Sequence, residues 1–332
     1  MSVLVTADLH LSANSRDAYR WVAMEFIAGL IEKHKIKTLL ILGDLTEEKD
    51  YHGAQLVNDV VELLFNLSCM CPVIVLRGNH DYKDAACPYF FFARRLENVR
   101  WVNVVTKLDF GIGSCLFLPH TQNYQRDWEG GLPKGEWEWI FAHNTFEGAT
   151  TEHGHKLHGI PLSVFPKGAA VLSGDIHTPQ TIGPVTYVGS PYTVDFGDKF
   201  LPRVLLLEAN GVVHSIDVLG PQKRLLTLDE FTFKRWDGKY LYKDDIVKIR
   251  YKLAADEREK WPEIKKQIRT KIEALGCIPF LIQPVLDTTS KKTIVSSRRD
   301  IKSDEQTVRD FSKQAKVSEQ VLETGLELVR EA

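Results

Sequence analysis

The chain has 332 residues, 44% of them hydrophobic and 26% charged, the composition of a globular protein large enough to bury a core without disulfides or structural metals. Its 42 Lys plus Arg and 44 Asp plus Glu leave a formal net charge of −2, which excludes a histone-like, globally basic protein but not nucleic-acid binding through local patches or bound cations. No apolar run approaches the roughly 20 residues that span a bilayer, the first residues do not read as a signal peptide, and five cysteines without a CxxC pair fit a reducing cytoplasm.

Taken in chain order, Ser2–Thr6, Thr38–Leu42 and Val73–Leu76 are short apolar runs, predicted as buried strands. Between them, Asp17–Lys35 and Gly53–Leu67 carry helical patterns. In the second, Ala54, Val57, Val60, Val61, Leu64 and Leu67 are predicted to form one apolar face. Strand–helix–strand repeats imply βα units and a largely parallel core. Cys69 and Cys71 read as small buried residues ahead of a strand rather than as a ligand pair.

From Trp101 onward the apolar runs shorten: Val102–Val105, Cys115–Leu118, Trp139–Ala142, Ala169–Leu172, Val185–Val188, Val204–Leu207 and Val212–Val218. These predict further strands with few helices, hence a mixed α/β sandwich rather than a plain Rossmann fold. A boundary is predicted near Leu219-Gly220-Pro221. Beyond it, Asp245–Leu253 as strand, Asp256–Leu275 as helix and Ile278–Leu286 as strand describe a small α/β unit, with Gly276 just past the helix end. Asp287–Ser303 is polar and locally basic, a linker. Asp304–Gln314 and Ser318–Val329 are predicted as a helix–turn–helix tail with an apolar stripe through Val308, Phe311, Val321, Leu322, Leu326 and Val329. The expected organisation is therefore 1–220, 221–287, a linker over 288–303, and a helical segment over 304–332.

Five polar clusters each follow an apolar run: Asp8-Leu9-His10, Gly43-Asp44, Gly78-Asn79-His80-Asp81, His143, and Gly174-Asp175-Ile176-His177. Ligands of open α/β sheets bind beyond the carboxyl ends of the strands, so these five ends are expected to converge. Any one of these Asp or Asn residues has a plain alternative as a helix cap or turn residue; the ordered set does not. Mixed carboxylate, imidazole and amide donors suit Mn²⁺, Fe²⁺ or Zn²⁺ better than Ca²⁺. Seven donors are too many for one tetrahedral ion and suit two cations about 3.5–4 Å apart sharing a bridging carboxylate; such a pair makes hydroxide available near neutrality and neutralises phosphate oxygens. The natural substrate is a phosphoester.

The ordered set DxH, GD, GNHD, H and GxxH resembles the calcineurin-like metallophosphoesterases over residues 1–220. Within that superfamily, Tyr187-Val188-Gly189-Ser190-Pro191 followed by Phe196-Gly197-Asp198, the small α/β unit and the helical tail are similar to the SbcD-type DNA-repair nucleases, and the short chain to their phage-borne members. The resemblance implies a metallophosphoesterase β-sandwich flanked by helices, with a capping domain and a tail that binds a partner ATPase. Carried over by residue, it implies that Asp8, His10 and His177 hold one metal, that Asn79, His143 and Asp175 hold the other, and that Asp44 bridges them. His80 would face the substrate and assist the leaving oxygen. Asp81 would orient His80 through its ring N–H.

The implied activity is that of a Mn²⁺-dependent double-stranded DNA exonuclease and single-strand or hairpin endonuclease, with Mg²⁺ or Fe²⁺ as the other candidate ions. It would be a cytoplasmic homodimer working with an SbcC-type SMC-like ATPase in DNA repair and recombination. Two departures stand out. Asp175 replaces the first histidine of the usual GHxH, and Glu47 stands where many members have a histidine three residues past the bridging Asp. A small-molecule phosphodiesterase or phosphatase shares every metal motif but needs neither cap nor tail. A catalytically weak DNA-end-binding subunit is the rival from another class. His153, His155 and His158 read as a loop rather than a third metal site, and His120 as structural. Lys265, Lys266, Arg269 and Lys271 on the cap helix read as a solvated face, with phosphate-backbone contact as the alternative. Tyr82, Lys83 and Arg94 are candidates for DNA contact.

Overall fold

Three parallel strands, β1 (Ser2–Thr6), β2 (Thr38–Leu42) and β3 (Val73–Leu76), are joined by two helices, α1 (Ala18–His34) and α2 (Ala54–Met70). The structure, a computed structural model, describes residues 2–128, 132–133, 135–151 and 154–286, with Glu319, Leu322, Glu323 and Leu326 near the C-terminus. The chain up to Val285 forms one compact unit, and the residues from Leu286 fall in another.

The next strands are β4 (Val99–Val102), β5 (Thr106–Asp109), β6 (Ser114–Leu118), β7 (Trp139–His143), β8 (Val171–Gly174), β9 (Gln180–Ile182), β10 (Val185–Tyr187), β11 (Arg203–Glu208) and β12 (Val213–Asp217), with one short helix, α3 (Tyr124–Asp127). They build two six-stranded sheets, β12-β11-β1-β2-β3-β4 and β5-β6-β7-β8-β10-β9. Alternation along each strand divides the core. Val3, Val5, Leu40, Leu42, Ile74 and Leu76 face Phe117, Trp139, Phe141 and Leu172 of the other sheet. Leu4, Leu39, Ile41, Val73 and Val75 face α1 and α2 on the outside. The second sheet's outer face is covered by Trp128, Phe146, Ile160 and Phe165 from connecting segments.

The apolar stripe of α2 is Leu56, Val60, Leu64 and Leu67; Ala54, expected on it, is exposed. Cys71 is buried as expected, but Cys69 is exposed on α2. The expected strand Val102–Val105 is instead the crossing from one sheet to the other, ending β4 at Val102 and leaving Val104 68% exposed. Three strands are not marked by apolar runs: β5 and β9, half polar and at the edges of the second sheet, and Lys223–Leu228, at an edge of the third.

A third sheet, β13-β14-β15, is made of β13 (Lys223–Leu228), β14 (Ile246–Leu253) and β15 (Ile278–Leu286). With α4 (Glu230–Arg235) and α5 (Trp261–Ala274), it surrounds a separate core of Val247, Ile249, Tyr251, Leu253, Ile268 and Ile272. α5 starts at Trp261 rather than Asp256. Pro262 has no N–H and belongs in a first turn, where N–H groups lack intrahelical partners. Gly276 follows the helix in the left-handed region, at φ 74°. The expected linker over 288–303 and the tail over 304–332 lie outside the described residues, apart from the four named above.

Candidate metal centre

Each predicted cluster sits at the carboxyl end of a parallel strand. Asp8 and His10 follow β1, Asp44 follows β2, and Asn79, His80 and Asp81 follow β3. His143 ends β7, and Asp175 and His177 follow β8. The parallel ladder continues past the strand ends, with Asp8 N–H donating to Gly43 O (3.1 Å) and His10 N–H to Asp44 O (2.8 Å). Asp8, His10, Asp44 and Asp175 all have positive φ (55°, 39°, 56° and 83°). Such backbone is costly for residues with a Cβ and clusters at functional sites. It turns the four side chains inward from the strand direction.

Three glycines make the close approach possible. A Cβ on Gly43 would lie 2.2 Å from His143 Nδ1, one on Gly78 2.2 Å from Asp44 Oδ1, and one on Gly174 2.7 Å from His143 Nδ1. The glycines of the GD, GNHD and GDxH motifs thus mark the space that His143 and Asp44 occupy.

The donors form three overlapping groups, one of them made of His10, Asp44 and His80. Asp8, His10 and His177 have ligand atoms within 4.8 Å of one another, as do Asp8, Asp44 and His143. His10 Nε2 is 3.1 Å from His177 Nε2 and 3.4 Å from Asp44 Oδ2. His143 Nδ1 lies 2.6 Å from the Leu42 carbonyl, which fixes its proton there and leaves Nε2 facing Asp44 Oδ1 at 3.3 Å and the Asn79 amide at 3.0 Å. Asp175 N–H donates to Asp8 Oδ1 (2.9 Å), its Oδ1 is 3.9 Å from His143 Nε2, and its Oδ2 accepts from Thr145 Oγ1. Asp8, His10, Asp44 and His143 are fully or almost fully buried.

The electrostatics call for positive charge. Burial raises the Asp8 pKa to about 6 and holds His10 well below the ordinary imidazole value. Burial opposes a charge on His143, yet Asp44, Asp8 and Asp175 hold its pKa well above the usual value. Burial likewise opposes the Asp44 charge, but His143 and His10 hold that carboxyl well below the usual range. Asp8 Oδ2 is buried without a hydrogen-bond partner. Facing imidazole nitrogens, buried carboxylates and an orphaned carboxylate oxygen fit divalent cations, whose charge would satisfy all of them.

One expected contact is overturned. Asp81 does not touch the His80 ring. Its carboxylate accepts the backbone N–H groups of Asp44 (3.0 Å), Leu45 (2.9 Å) and Gly78 (2.6 Å). Its role is to tie the loops after β2 and β3 together, because it points back under the backbone. His80 instead places Nδ1 2.5 Å from the Glu47 carbonyl, and its ring lies edge-on to His10 at 4.7 Å.

The centre opens into a cleft of about 450 Å³ lined by His10, Asp44, Asn79, His80, Asp175 and His177. Asp17, Arg20, Glu47, Val194, Asp195 and Lys223 complete its wall. The sequence reading missed Arg20, although a charge on the buried stripe of α1, between Tyr19 and Ala23, was its signal. Ser190 of the GS-P stretch donates to the Asp8 carbonyl (3.0 Å). His120 Nδ1 lies 2.9 Å from Tyr82 Oη, and Tyr82 is half-buried. Lys83 pairs with Asp50 and Arg94 lies over Phe91. His155 and His158 are exposed in a loop and His153 lies outside the described residues.

The chain belongs to the calcineurin-like phosphoesterase family, whose family model matches residues 1–179. The metal-dependent phosphoester hydrolysis of that family is the chemistry this centre is built for. Exonuclease subunit 1 of Enterobacteria phage T4 is 25% identical over 224 residues, 61% of this chain and 63% of its own length. A putative phosphoesterase of Invertebrate iridescent virus 6 is 25% identical over 63% of this chain and 76% of its own. The solved structure of an archaeal phosphodiesterase aligns over 65% of this chain and 99% of its own, at 10% identity and a TM-score of 0.38. Among the described residues no helix is long and apolar enough to cross a membrane.

Proposed function

We propose that this protein is a metal-dependent DNA nuclease, a phosphodiester hydrolase that degrades double-stranded ends and cuts single strands or hairpins. The observation that carries the reading is the convergence of buried Asp8, His10, Asp44 and His143 with half-buried Asn79, Asp175 and His177, with His80 lining the same cleft. Two divalent cations held there would supply a nucleophile at neutral pH and neutralise phosphate oxygens. Asp8, His10 and His177 would hold one, Asn79, His143 and Asp175 the other, and Asp44 both. With Nδ1–H donating to the Glu47 carbonyl, His80 has Nε2 for the cleft; carrying a proton on that nitrogen as well, the imidazolium would stabilise the crowded phosphorus and hand that proton to the departing sugar oxygen. The oxygen-rich donor set favours Mn²⁺, with Mg²⁺ or Fe²⁺ as alternatives.

DNA as substrate is supported by the likeness to the phage exonuclease subunit and by the charge on the third sheet. On β14, Lys248, Arg250 and Lys252 alternate with the core residues Val247, Ile249, Tyr251 and Leu253, and so share the face turned away from α5. Lys223, on the adjacent strand, lines the cleft itself, with its ammonium paired to Asp17 at 3.1 Å. A polyanion entering the cleft has a basic face beside it. On α5, by contrast, Arg269 pairs with Glu273 and Lys271 lies over Phe233 and Trp236. In this reading residues 221–287 cap the nuclease domain, the protein is a homodimer, and the helices over 304–332 bind an SbcC-type ATPase in repair and recombination.

The test is Mn²⁺-dependent degradation of a blunt, labelled duplex by the wild type and by His80→Ala. Loss of cleavage in the variant with metal binding retained supports the reading. Hydrolysis of a small phosphodiester by the wild type, with DNA left intact alone and with the ATPase, overturns it. Deleting residues after 303 is expected to abolish ATPase association while sparing cleavage.

A further inference from the structure

Arg20 is buried in α1 with its guanidinium against the cleft. Nη1 donates to the His10 carbonyl and, at 2.8 Å, to Glu47 Oε2, while Nη2 lies 3.4 Å from Asp17 Oδ1. The rings of Tyr19 and Tyr192 lie 6.0 and 5.8 Å from it. Taking a guanidinium out of water costs several kcal/mol unless it is well paired, and a hydrophobic residue serves packing alone equally well. The rest of the α1 stripe, Ala23, Met24, Ile27 and Ile31, does that packing.

Arg20 fixes Glu47, and Glu47 touches two histidines of the centre. The Oε2 that accepts from Arg20 also lies 3.7 Å from His10 Nδ1, a buried nitrogen with no hydrogen-bond partner. The backbone carbonyl of the same residue takes His80 Nδ1 at 2.5 Å. Its N–H donates to the Leu11 carbonyl at 3.1 Å, holding that carbonyl beside the cleft.

We propose that Arg20 and Glu47 are a positioning pair for His10 and His80. The carboxylate, held by the guanidinium, draws the His10 proton to Nδ1 and leaves Nε2 as the lone pair turned to Asp8, Asp44 and His177. The carbonyl holds the His80 Nδ1–H and so leaves Nε2, the nitrogen that would carry the transferable proton, to the cleft. The carbonyl at this position thereby does what Asp81 is too far turned to do, and toward His10 the departure from histidine becomes an orienting device rather than a loss. Outer partners of this kind typically change metal affinity by about 10- to 100-fold when removed.

The His80 half of this proposal rests on the phosphodiesterase reading; the His10 half does not. The experiment is calorimetric Mn²⁺ binding to the full chain, without substrate, in the wild type, Glu47→Ala, Glu47→Gln and Arg20→Lys. Histidine ¹⁵N shifts of the metal-free proteins report the tautomers. Glu47 is 44% exposed, so Glu47→Ala is expected to fold, and thermal melting checks it. The expected result is about 10-fold or greater weakening in Glu47→Ala, with the Nδ1-protonated His10 signal lost. Glu47→Gln, which keeps an oxygen acceptor, stays close to wild type, and Arg20→Lys falls between them. Wild-type affinity in Glu47→Ala, or a loss in Glu47→Gln as large as in Glu47→Ala, overturns the proposal. A wild type that binds Mn²⁺ but cleaves no DNA sinks the nuclease reading and leaves this pair standing.

Discussion

Asp81 Oδ2 accepts the backbone N–H of Asp44 at 3.0 Å, and Asp44 Oδ1 accepts the backbone N–H of His80 at 2.7 Å. The two carboxylates clasp each other's loops, so the ends of β2 and β3 are held in register by the side chains that also shape the centre. Burial and the Asp44 charge raise the Asp81 pKa to about 6, while the Gly78 and Leu45 N–H groups pull it down. All three of its partners are donors, the arrangement an ionised carboxylate satisfies.

Asp81→Asn tests this clasp. The amide nitrogen would face backbone N–H donors, leaving at least one buried donor unpaired. The expected loss is about 2 kcal/mol of stability, read as a lower denaturation midpoint, with weaker Mn²⁺ binding because Asp44 moves. An orienter of His80 alone would show neither effect, only a lower kcat. Unchanged stability and metal affinity would therefore restore the role that sequence pattern assigns to Asp81.

Two glycines give opposite expectations. Gly29 lies inside α1 with nothing within 4 Å of a Cβ placed there. Gly29→Ala removes backbone freedom from the unfolded chain and should stabilise by about 0.5–1 kcal/mol. A Cβ on Gly78 would lie 2.2 Å from Asp44 Oδ1 and 2.4 Å from Asp44 N, one of them backbone and unable to step aside. Gly78→Ala should cost about 1–3 kcal/mol and weaken metal binding. Thermal melting with and without Mn²⁺ checks both; a neutral Gly78→Ala would mean that the loops tolerate a wider gap.

The same contrast explains how much of the molecule was legible. The strands that carry the centre are buried on both faces, so their sequences are unbroken apolar runs ending at a polar motif, and their bounds could be read closely. The edge strands β5 and β9 are half polar and bury little, so nothing in Thr106–Asp109 or Gln180–Ile182 stands out from a loop. The donors were legible because each ends a run. Arg20 was not, because its place depends on α1 lying against the loop of Glu47, a tertiary contact between residues 27 apart. Asp81 was misassigned for a related reason: adjacency to His80 in sequence says nothing about which way a carboxylate turns after a strand end.

His120, whose ring lies 6.2 Å from that of His143, offers a pH test on the metal-free protein. Burial, helped by His143, pushes its pKa down to about 3 from 6.5. Its Nδ1 lies 2.9 Å from Tyr82 Oη, in hydrogen-bond contact. A histidine with a depressed folded pKa takes up its proton in the unfolded state first, so its stability contribution is full above pH 6.5 and is lost as pH falls toward 3. His120→Gln should flatten this part of the acid limb in denaturant titrations across that window. An acid limb of unchanged slope would place the loss of stability on other groups.

In the two-cation reading, Asp175 is expected to decide which ion the second site prefers. Thr145 Oγ1 donates to its Oδ2, which orients the carboxylate and leaves Oδ1 turned toward His143 and the cluster. A carboxylate oxygen there hardens a site whose other expected donors are an amide oxygen, an imidazole and the shared Asp44, and harder sites favour Mn²⁺ and Mg²⁺ over Zn²⁺. Asp175→His adds a nitrogen, removes a negative charge and gives up the Thr145 bond. Competitive titration of Mn²⁺ against Zn²⁺ should therefore move toward Zn²⁺ in the variant. Thr145→Val, which frees Oδ2 without changing the donor type, should leave the preference in place while weakening both ions. A preference that stays fixed in Asp175→His would show that the selectivity is set by Asp44 and the imidazoles, and that the aspartate in the last motif is a neutral substitution.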